Sequence, residues 1–224
     1  MSMRPLGRVL LAAAWLLVGI GQASAQTQIT DATVDELLQR AEDAFRRGRA
    51  DETAALLHRT SDWANHIRDV ARGSAKPAED IAFAERIYRG VLATFGRTLG
   101  ADHDHAGSAL MGLAALYSDQ QRFTEAEPLL RRTLGIAESA PAAPSDDHRQ
   151  GAIARVVGQL GLLEERQGRN AEAEAHYRRA LAIVDKLPPR FRNATGKCVQ
   201  HYLRFLRANN RPQEATAIEA RLTR

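Results

Sequence analysis

Residues 121–132 read QRFTEAEPLLRR, and altered copies of this stretch recur along the 224-residue chain. The copies are aligned by four alanines that are 42, 47 and 42 residues apart, namely Ala84, Ala126, Ala173 and Ala215. Recurrence at a fixed interval is typical of a repeat protein, in which one structural unit is used several times. We therefore predict a repeating unit of 42 residues.

Each copy has the pattern of two helices joined by a tight turn. Apolar residues recur three and four positions apart on both sides of the turn, which indicates amphipathic helices. Small residues stand where two helices would cross closely, and these are Ala114, Ala126, Gly161, Ala173 and Ala215. A single hairpin cannot bury its apolar stripe, so neighbouring hairpins stack on one another. The predicted fold class is all-α, built of stacked helical hairpins.

The middle interval is longer than the other two by five residues, and it contains the loop SAPAAP at 139–144. A surface loop of this kind absorbs an insertion without disturbing the packed helices on either side. We therefore predict a 5-residue loop insertion near residues 138–150.

These features resemble the tetratricopeptide repeat (TPR), and most closely its 42-residue variant in kinesin light chains and many bacterial proteins. The similarity is carried by Ala115-Leu116-Tyr117 before the turn, Arg122–Arg132 after it, and the loop LGADH at 99–103. The resemblance implies a right-handed α-solenoid over residues 78–224, with about three and a half repeats. Residues 26–77 are predicted to be a degenerate TPR-like helical segment, because GRADET at 48–53 matches the turn sequence of the later repeats only weakly.

The sequence departs from that variant at two places. Glu164 replaces the usual aromatic residue, which is expected to loosen one helix contact. Met111 and Gly112 stand where kinesin light chains commonly have asparagines that hold a peptide backbone. The resemblance therefore implies a binding surface but not the same peptide specificity.

The amino terminus has the pattern of a secretory signal. Arg4 and Arg8 precede an apolar run at 9–20, and Ala23-Ser24-Ala25 offers the small residues that a signal peptidase recognises. The run is shorter than the ~20 residues of a membrane-spanning helix. We therefore predict a signal peptide at 1–25 cleaved after Ala25, a periplasmic or secreted location, and no integral membrane span after cleavage. The alternative is an uncleaved anchor.

Composition argues against several classes of protein. The chain has 31 basic and 27 acidic residues, and loss of residues 1–25 would lower its net charge from +4 to +2. Both signs are interleaved along the predicted helices, whereas a nucleic-acid-binding protein concentrates its cations in a patch. We therefore expect no nucleic-acid partner. The single cysteine excludes an internal disulfide framework and a Cys-rich zinc module.

In stacked hairpins of this kind, the first helices line a concave face. At 100° per residue, Arg155, Leu162 and Arg166 lie within about 20° of one line on such a helix. The same register in the neighbouring repeats gives Ser108, Ala115, Asp119, Lys197 and Arg204. Met111, at the position of the peptide-holding asparagines, completes the predicted partner-binding set with these residues and Arg155, Leu162 and Arg166. Its four cations suggest a partner with an acidic segment or a free carboxylate. The alternative, which is common on helical surfaces, is a solvated face of Arg–Glu pairs.

Residues typical of metal or catalytic sites have simpler explanations here. The sequences DHDH at 102–105 and DDH at 146–148 lie in predicted loops without a distant third ligand, so no metal is predicted. Cys198 and His201 are neighbours on a predicted helix, but no third group orients them for catalysis. No cofactor-binding motif occurs, so no cofactor is predicted.

The sequence thus predicts an exported scaffold that binds a protein or peptide through its concave face, and not an enzyme. The alternative is an enzyme or ligand-sensing domain built on a helical solenoid, in which case a deep pocket with convergent histidines and carboxylates is expected. A third possibility is self-association through an uncapped end, although the short polar helix predicted at 213–222 has the character of a cap.

Overall fold

The computed structural model describes residues 29–71, 73–139 and 147–222. Within these ranges the chain forms nine α-helices and no β-strand. The helices are α1 (Asp31–Arg46), α2 (Ala50–Ala71), α3 (Pro77–Arg97), α4 (Ala106–Asp119), α5 (Phe123–Ser139), α6 (Asp147–Arg166), α7 (Asn170–Lys186), α8 (Pro189–Ala208) and α9 (Pro212–Leu222). The predicted all-α class is confirmed.

Two sequence predictions fall outside the described part of the chain. These are the signal peptide at 1–25 and most of the loop insertion, at residues 140–146. Among the helices that are described, none combines the length and the apolar character that crossing a membrane requires.

Four turns between successive helices share one backbone geometry. In each turn, one residue has a φ between 59° and 75° and is followed by an arginine; these residues are Gly48, Gln121, Gly168 and Asn210. The amide of the arginine donates to the carbonyl five residues earlier, at 2.9 Å in all four turns. A left-handed residue with this hydrogen bond is the Schellman motif, which ends a helix by satisfying its last carbonyls. The turn at Gly48 therefore has the same backbone geometry as the three turns with clearer sequence signals.

Three of the four aligned alanines have a common structural role. The fourth, Ala84, is also completely buried but lies in α3, which does not begin at one of these four turns. The fifth residue after each left-handed residue is completely buried, and these residues are Thr53, Ala126, Ala173 and Ala215. A small side chain at this position lets the two helices of a hairpin approach closely. In the first hairpin Thr53 replaces the alanine, and its hydroxyl donates to the Ala41 carbonyl across the hairpin at 3.3 Å. The predicted small residues at helix crossings are confirmed, since Ala114 and Gly161 are buried too.

The described chain divides into two compact units, the first ending at Gly112 and the second beginning at Leu113. In the first unit, α1, α2 and α3 contact one another. Tyr88 of α3 is completely buried there, and its hydroxyl donates to Asn65 Oδ1 of α2 at 2.7 Å. A Cβ atom at Gly112 would lie only 2.5 Å from the Tyr88 ring. Glycine at this position is therefore explained by packing.

In the second unit, α6 is central, because it contacts α5, α7 and α8. Two glycines on α6 allow this close packing. A Cβ at Gly161 would lie 2.9 Å from the Tyr177 ring of α7, and one at Gly158 would lie 2.3 Å from Cys198 Cβ of α8. The first helices of two hairpins, α6 and α8, are thereby held side by side.

Candidate partner-binding surface

The predicted binding residues of α6 and α8 project from two helices that contact each other. Arg155, Arg166, Lys197 and Arg204 are exposed, and we call these four residues the cationic face. Leu162 lies between the two arginines of α6 and is half-buried. The helical register thus leaves all four cations accessible to a partner.

The other predicted residues lie on α4. Ser108 and Met111 belong to the first unit and are half-buried. Ala115, also half-buried, and Asp119, which is exposed, belong to the second unit. Asp119 contacts the cationic face directly, through Arg166.

Arg166 links α6 to the end of α4. Its Nη1 donates to Ser118 Oγ at 2.8 Å and to Asp119 Oδ1 at 2.9 Å. About a third of each charged side chain is exposed, 34% for Arg166 and 29% for Asp119, so water reaches this ion pair. Arg166 is therefore held in place by groups that a ligand could displace.

Arg204 pairs with Glu165 at a longer distance than Arg166 pairs with Asp119. The Oε2 atom of Glu165 accepts a hydrogen bond of 2.5 Å from the Tyr177 hydroxyl and lies 3.8 Å from Arg204 Nη2. In contrast, neither Arg155 nor Lys197 forms an ion pair with any residue in the described ranges. The cationic face therefore combines two paired arginines with two cations that lack a carboxylate partner among those residues.

The sequence prediction missed one residue of this surface, His201 of α8. Burial, and after it the positive charges of Arg204, Arg166 and Lys197 in that order of importance, lower the pKa of His201 to about 4. The ring is therefore neutral at pH 7. The helical spacing could have revealed it, since Lys197 and Arg204 stand four residues before and three residues after His201.

Cys198, the residue one turn before His201, is not arranged as a nucleophile. It is buried, and its Sγ donates to the Thr195 carbonyl at 2.8 Å. Burial raises the pKa of the thiol to about 11, so the thiolate that would react is scarce at neutral pH.

A cleft of about 330 Å³ adjoins the Arg166 ion pair. It is lined by Ser118, Asp119, Gln121, Phe123 and Arg166. Among the described residues that line it, there is a single carboxylate, which already pairs with Arg166, and no histidine. Its composition thus differs from the pocket of convergent histidines and carboxylates expected for an enzyme.

Three of the histidines singled out in the sequence pack on neighbouring rings. The prediction that DDH at 146–148 lies in a loop is wrong for Asp147 and His148, which form the start of α6. His103 stacks on Phe95 and on His105, with ring centroids 6.0 Å and 5.4 Å apart. His148 packs edge-on against Phe191 at 4.6 Å. Across the described residues, no group of three or more histidines, cysteines or carboxylates is placed to hold a metal ion.

Comparisons with known proteins agree with this architecture. The family models of the tetratricopeptide repeat match residues 76–139 and 154–184. The crystal structure of BtubC (BKLC) from P. vanneervenii is 15% identical in sequence, with a TM-score of 0.52 over 86% of this chain and 87% of that chain. A putative kinesin light chain from Podosopora anserina with nearly identical TPR-like repeats is 17% identical, with a TM-score of 0.48 over 86% of this chain and 94% of that chain. No curated protein matches the sequence.

The two family matches coincide with the hairpins described above. The first contains the turn at Gln121, and the second contains the turn at Gly168. The likeness to BtubC, at 15% identity, supports the fold alone. Residues 76–139 and 154–184, which share this turn geometry, are therefore similar to tetratricopeptide repeats.

Proposed function

We propose that this protein is a TPR-type scaffold that binds an acidic protein segment or peptide through the cationic face, without catalysing a reaction. Stacked hairpins offer a preformed surface, so a partner can bind without the chain having to reorganise. The observation that carries the proposal is the pair of exposed cations Arg155 and Lys197, which have no carboxylate partner in the described ranges. A partner's carboxylates would supply the missing negative charge.

Arg166 supports the same proposal in a different way. Its ion pair with Asp119 is partly exposed, and exposed pairs contribute only about 0–1 kcal/mol to stability. A ligand carboxylate could therefore replace Asp119 at little cost, and the planar guanidinium suits two-point contact with it. The Ser118 hydroxyl, which accepts from the same nitrogen, keeps Arg166 oriented during such an exchange.

The alternative of an enzyme built on helical repeats has less support. Cys198 is a buried thiol that donates to a backbone carbonyl, and the described residues of the cleft beside Arg166 include one carboxylate, which is already paired. Neither arrangement offers an activated nucleophile or a general base with an orienting partner.

We also propose that the protein is exported to the periplasm or secreted. The support is the amino-terminal pattern of two arginines, an apolar run and Ala23-Ser24-Ala25. Amino-terminal sequencing of protein from a periplasmic fraction tests this proposal. A chain that begins at Gln26 is expected, and a chain retained in the cytoplasm with its first residues intact would contradict export.

The binding proposal is tested with charge reversal. A rhodamine-labelled hexa-aspartate peptide with a free terminal carboxylate is titrated with the full chain at low salt, and its fluorescence anisotropy is measured. We expect Arg166→Glu and Arg204→Glu each to weaken binding at least about tenfold, because each replaces an attraction with a repulsion.

Arg207→Glu is the matched control. Arg207 is also an exposed, ion-paired arginine on α8, but its partner is Glu219 of α9. This variant should bind the peptide nearly as well as the unaltered chain. Equal affinities for the unaltered chain, Arg166→Glu and Arg204→Glu would eliminate the cationic face as the binding site.

A further inference from the structure

His201 is an unusual residue within the cationic face. Lys197 and Arg204 flank it on α8, and Arg166 of α6 is close enough to act on it electrostatically. The Nδ1 atom of His201 is buried and has no hydrogen-bond partner among the described residues. Buried polar atoms nearly always have such a partner, because burial removes their hydrogen bonds to water. The surroundings of His201 therefore look incomplete without a further group.

Several other charged and titratable groups on the surrounding helices have partners of their own. Glu165 of α6 accepts from Tyr177 of α7 and lies beside Arg204. On α8 itself, Cys198 donates to a backbone carbonyl, and Glu219 of α9 accepts from Arg207 at 2.7 Å. The charges that act on His201 are therefore positive, and they oppose its protonation.

We infer that His201 is a ligand-binding residue of the cationic face, and that it binds a carboxylate of the acidic partner in its protonated form, so that the ligand and a proton are taken up together. This inference rests on the proposed function. A carboxylate among Arg166, Lys197 and Arg204 would offset the charges that keep the ring neutral. It would also supply the hydrogen-bond acceptor that a protonated imidazole requires.

Proton uptake makes the affinity depend on pH in a definite direction. If the bound carboxylate raises the proton affinity of His201, then protonation must raise the affinity for the carboxylate by the same factor. The acidic partner would therefore bind more tightly as the pH falls. Aspartate side chains remain ionised down to about pH 5, so a change between about pH 8 and pH 5.5 reports on the protein and not on an aspartate peptide.

The experiment measures the affinity of the full chain for the rhodamine-labelled hexa-aspartate peptide at both pH values. We expect about tenfold tighter binding at the lower pH, as for a histidine whose pKa returns to near 6.5 in the complex. His201→Gln should bind with the same affinity at both values. His176→Gln is the matched control, because His176 of α7 is also half-buried with a lowered pKa but lies outside the cationic face. That variant should keep the pH dependence of the unaltered chain.

Calorimetry of the unaltered chain gives a second readout that needs no variant. Titrations at about pH 6 in two buffers with different ionisation enthalpies report the protons taken up on binding, and a fractional uptake is expected. Peptide binding that is lost in Arg166→Glu, yet is independent of pH and takes up no proton, would overturn the role of His201 and leave the proposed function standing. No binding of the peptide at either pH would overturn both.

Discussion

Arg169 donates to the carboxylate of Glu164, five residues before it in the same turn, although only 5% of the Glu164 side chain is exposed. In the preceding hairpin the equivalent pair is Arg122 and Tyr117, and there the guanidinium stacks on the ring at 4.0 Å. The turn arginine thus meets an aromatic ring in one repeat and a carboxylate in the next. At the Glu164 position, where the sequence predicts a loosened contact, the structure has an ion pair between a buried carboxylate and a partly exposed guanidinium.

This ion pair predicts a large stability loss on removal of its arginine. Arg169→Ala would leave the Glu164 carboxylate buried without its partner, which costs about 3–5 kcal/mol in fully buried pairs. Because 41% of Arg169 is exposed, we expect a smaller loss in the free energy of unfolding than for a fully buried pair, measured by urea denaturation.

Two further variants test the reason for that loss. The double variant Glu164→Leu with Arg169→Ala should recover most of the stability, because it also removes the buried charge. Arg131→Ala breaks an exposed pair with Glu127 and should cost less than about 1 kcal/mol. A double variant as unstable as Arg169→Ala would show that the loss does not come from the carboxylate.

Gly161 predicts a packing effect at the α6–α7 crossing. In Gly161→Ala the new Cβ would lie 2.9 Å from the Tyr177 ring and 3.2 Å from the Ala173 carbonyl oxygen, so the helices must separate. We expect a loss of about 1–3 kcal/mol. Gly135→Ala, on an exposed side of α5 with no atom nearby, should instead gain up to about 1 kcal/mol from helix propensity. The midpoint temperature of thermal unfolding should therefore fall in Gly161→Ala and rise in Gly135→Ala.

The hairpins were predictable because their signals are local. Each hairpin repeats three residues at fixed spacing: a left-handed turn residue, the arginine after it, and a small residue four positions beyond that arginine. The first two form the turn and the third allows the two helices to approach closely. The hairpin at Gly48 was harder to recognise, because Thr53 replaces the alanine. In the structure the Thr53 hydroxyl donates to the Ala41 and Arg49 carbonyls, so the larger polar side chain is accommodated.

The pairing within the cationic face could not be predicted in the same way. Helical register places Arg166 and Arg204 on an exposed side. Their pairing with Asp119 and Glu165, however, depends on side-chain distances between different helices. The role of His201 depends further on the burial of one ring nitrogen, which periodicity does not specify.

The shared turn geometry predicts opposite effects for a reciprocal exchange of residues. Gln121 and Gly168 occupy equivalent left-handed positions, with φ of 60° and 75°. Glycine adopts this conformation without the steric cost of about 1 kcal/mol that a side chain incurs. We expect Gln121→Gly to raise the free energy of unfolding and Gly168→Gln to lower it, each by about 1 kcal/mol. Changes of the same sign in urea denaturation would contradict a common turn conformation.

His201 predicts a loss of stability in mild acid. Its pKa is about 4 in the folded chain, below the ordinary value of 6.5. Between these values the unfolded chain binds a proton and the folded chain does not, so the free energy of unfolding falls as the pH falls. His201→Gln cannot titrate and should lose less stability than the unaltered chain between pH 7.5 and pH 5 on urea denaturation. An equal loss in both proteins would assign the effect to other groups.

Because Asp119 already pairs with Arg166, we expect its carboxylate to compete with the ligand for that arginine. Asp119→Asn keeps an oxygen that can accept from Arg166 but removes the negative charge beside it. We expect the hexa-aspartate peptide to bind two- to fivefold more tightly, because a partly exposed pair of this kind is worth about 0–1 kcal/mol. Asp185→Asn, which disrupts the pair with Arg221 between α7 and α9, should leave the affinity unchanged. If Asp119→Asn binds the peptide more weakly, then Asp119 serves to position Arg166 and does not compete with the ligand for it.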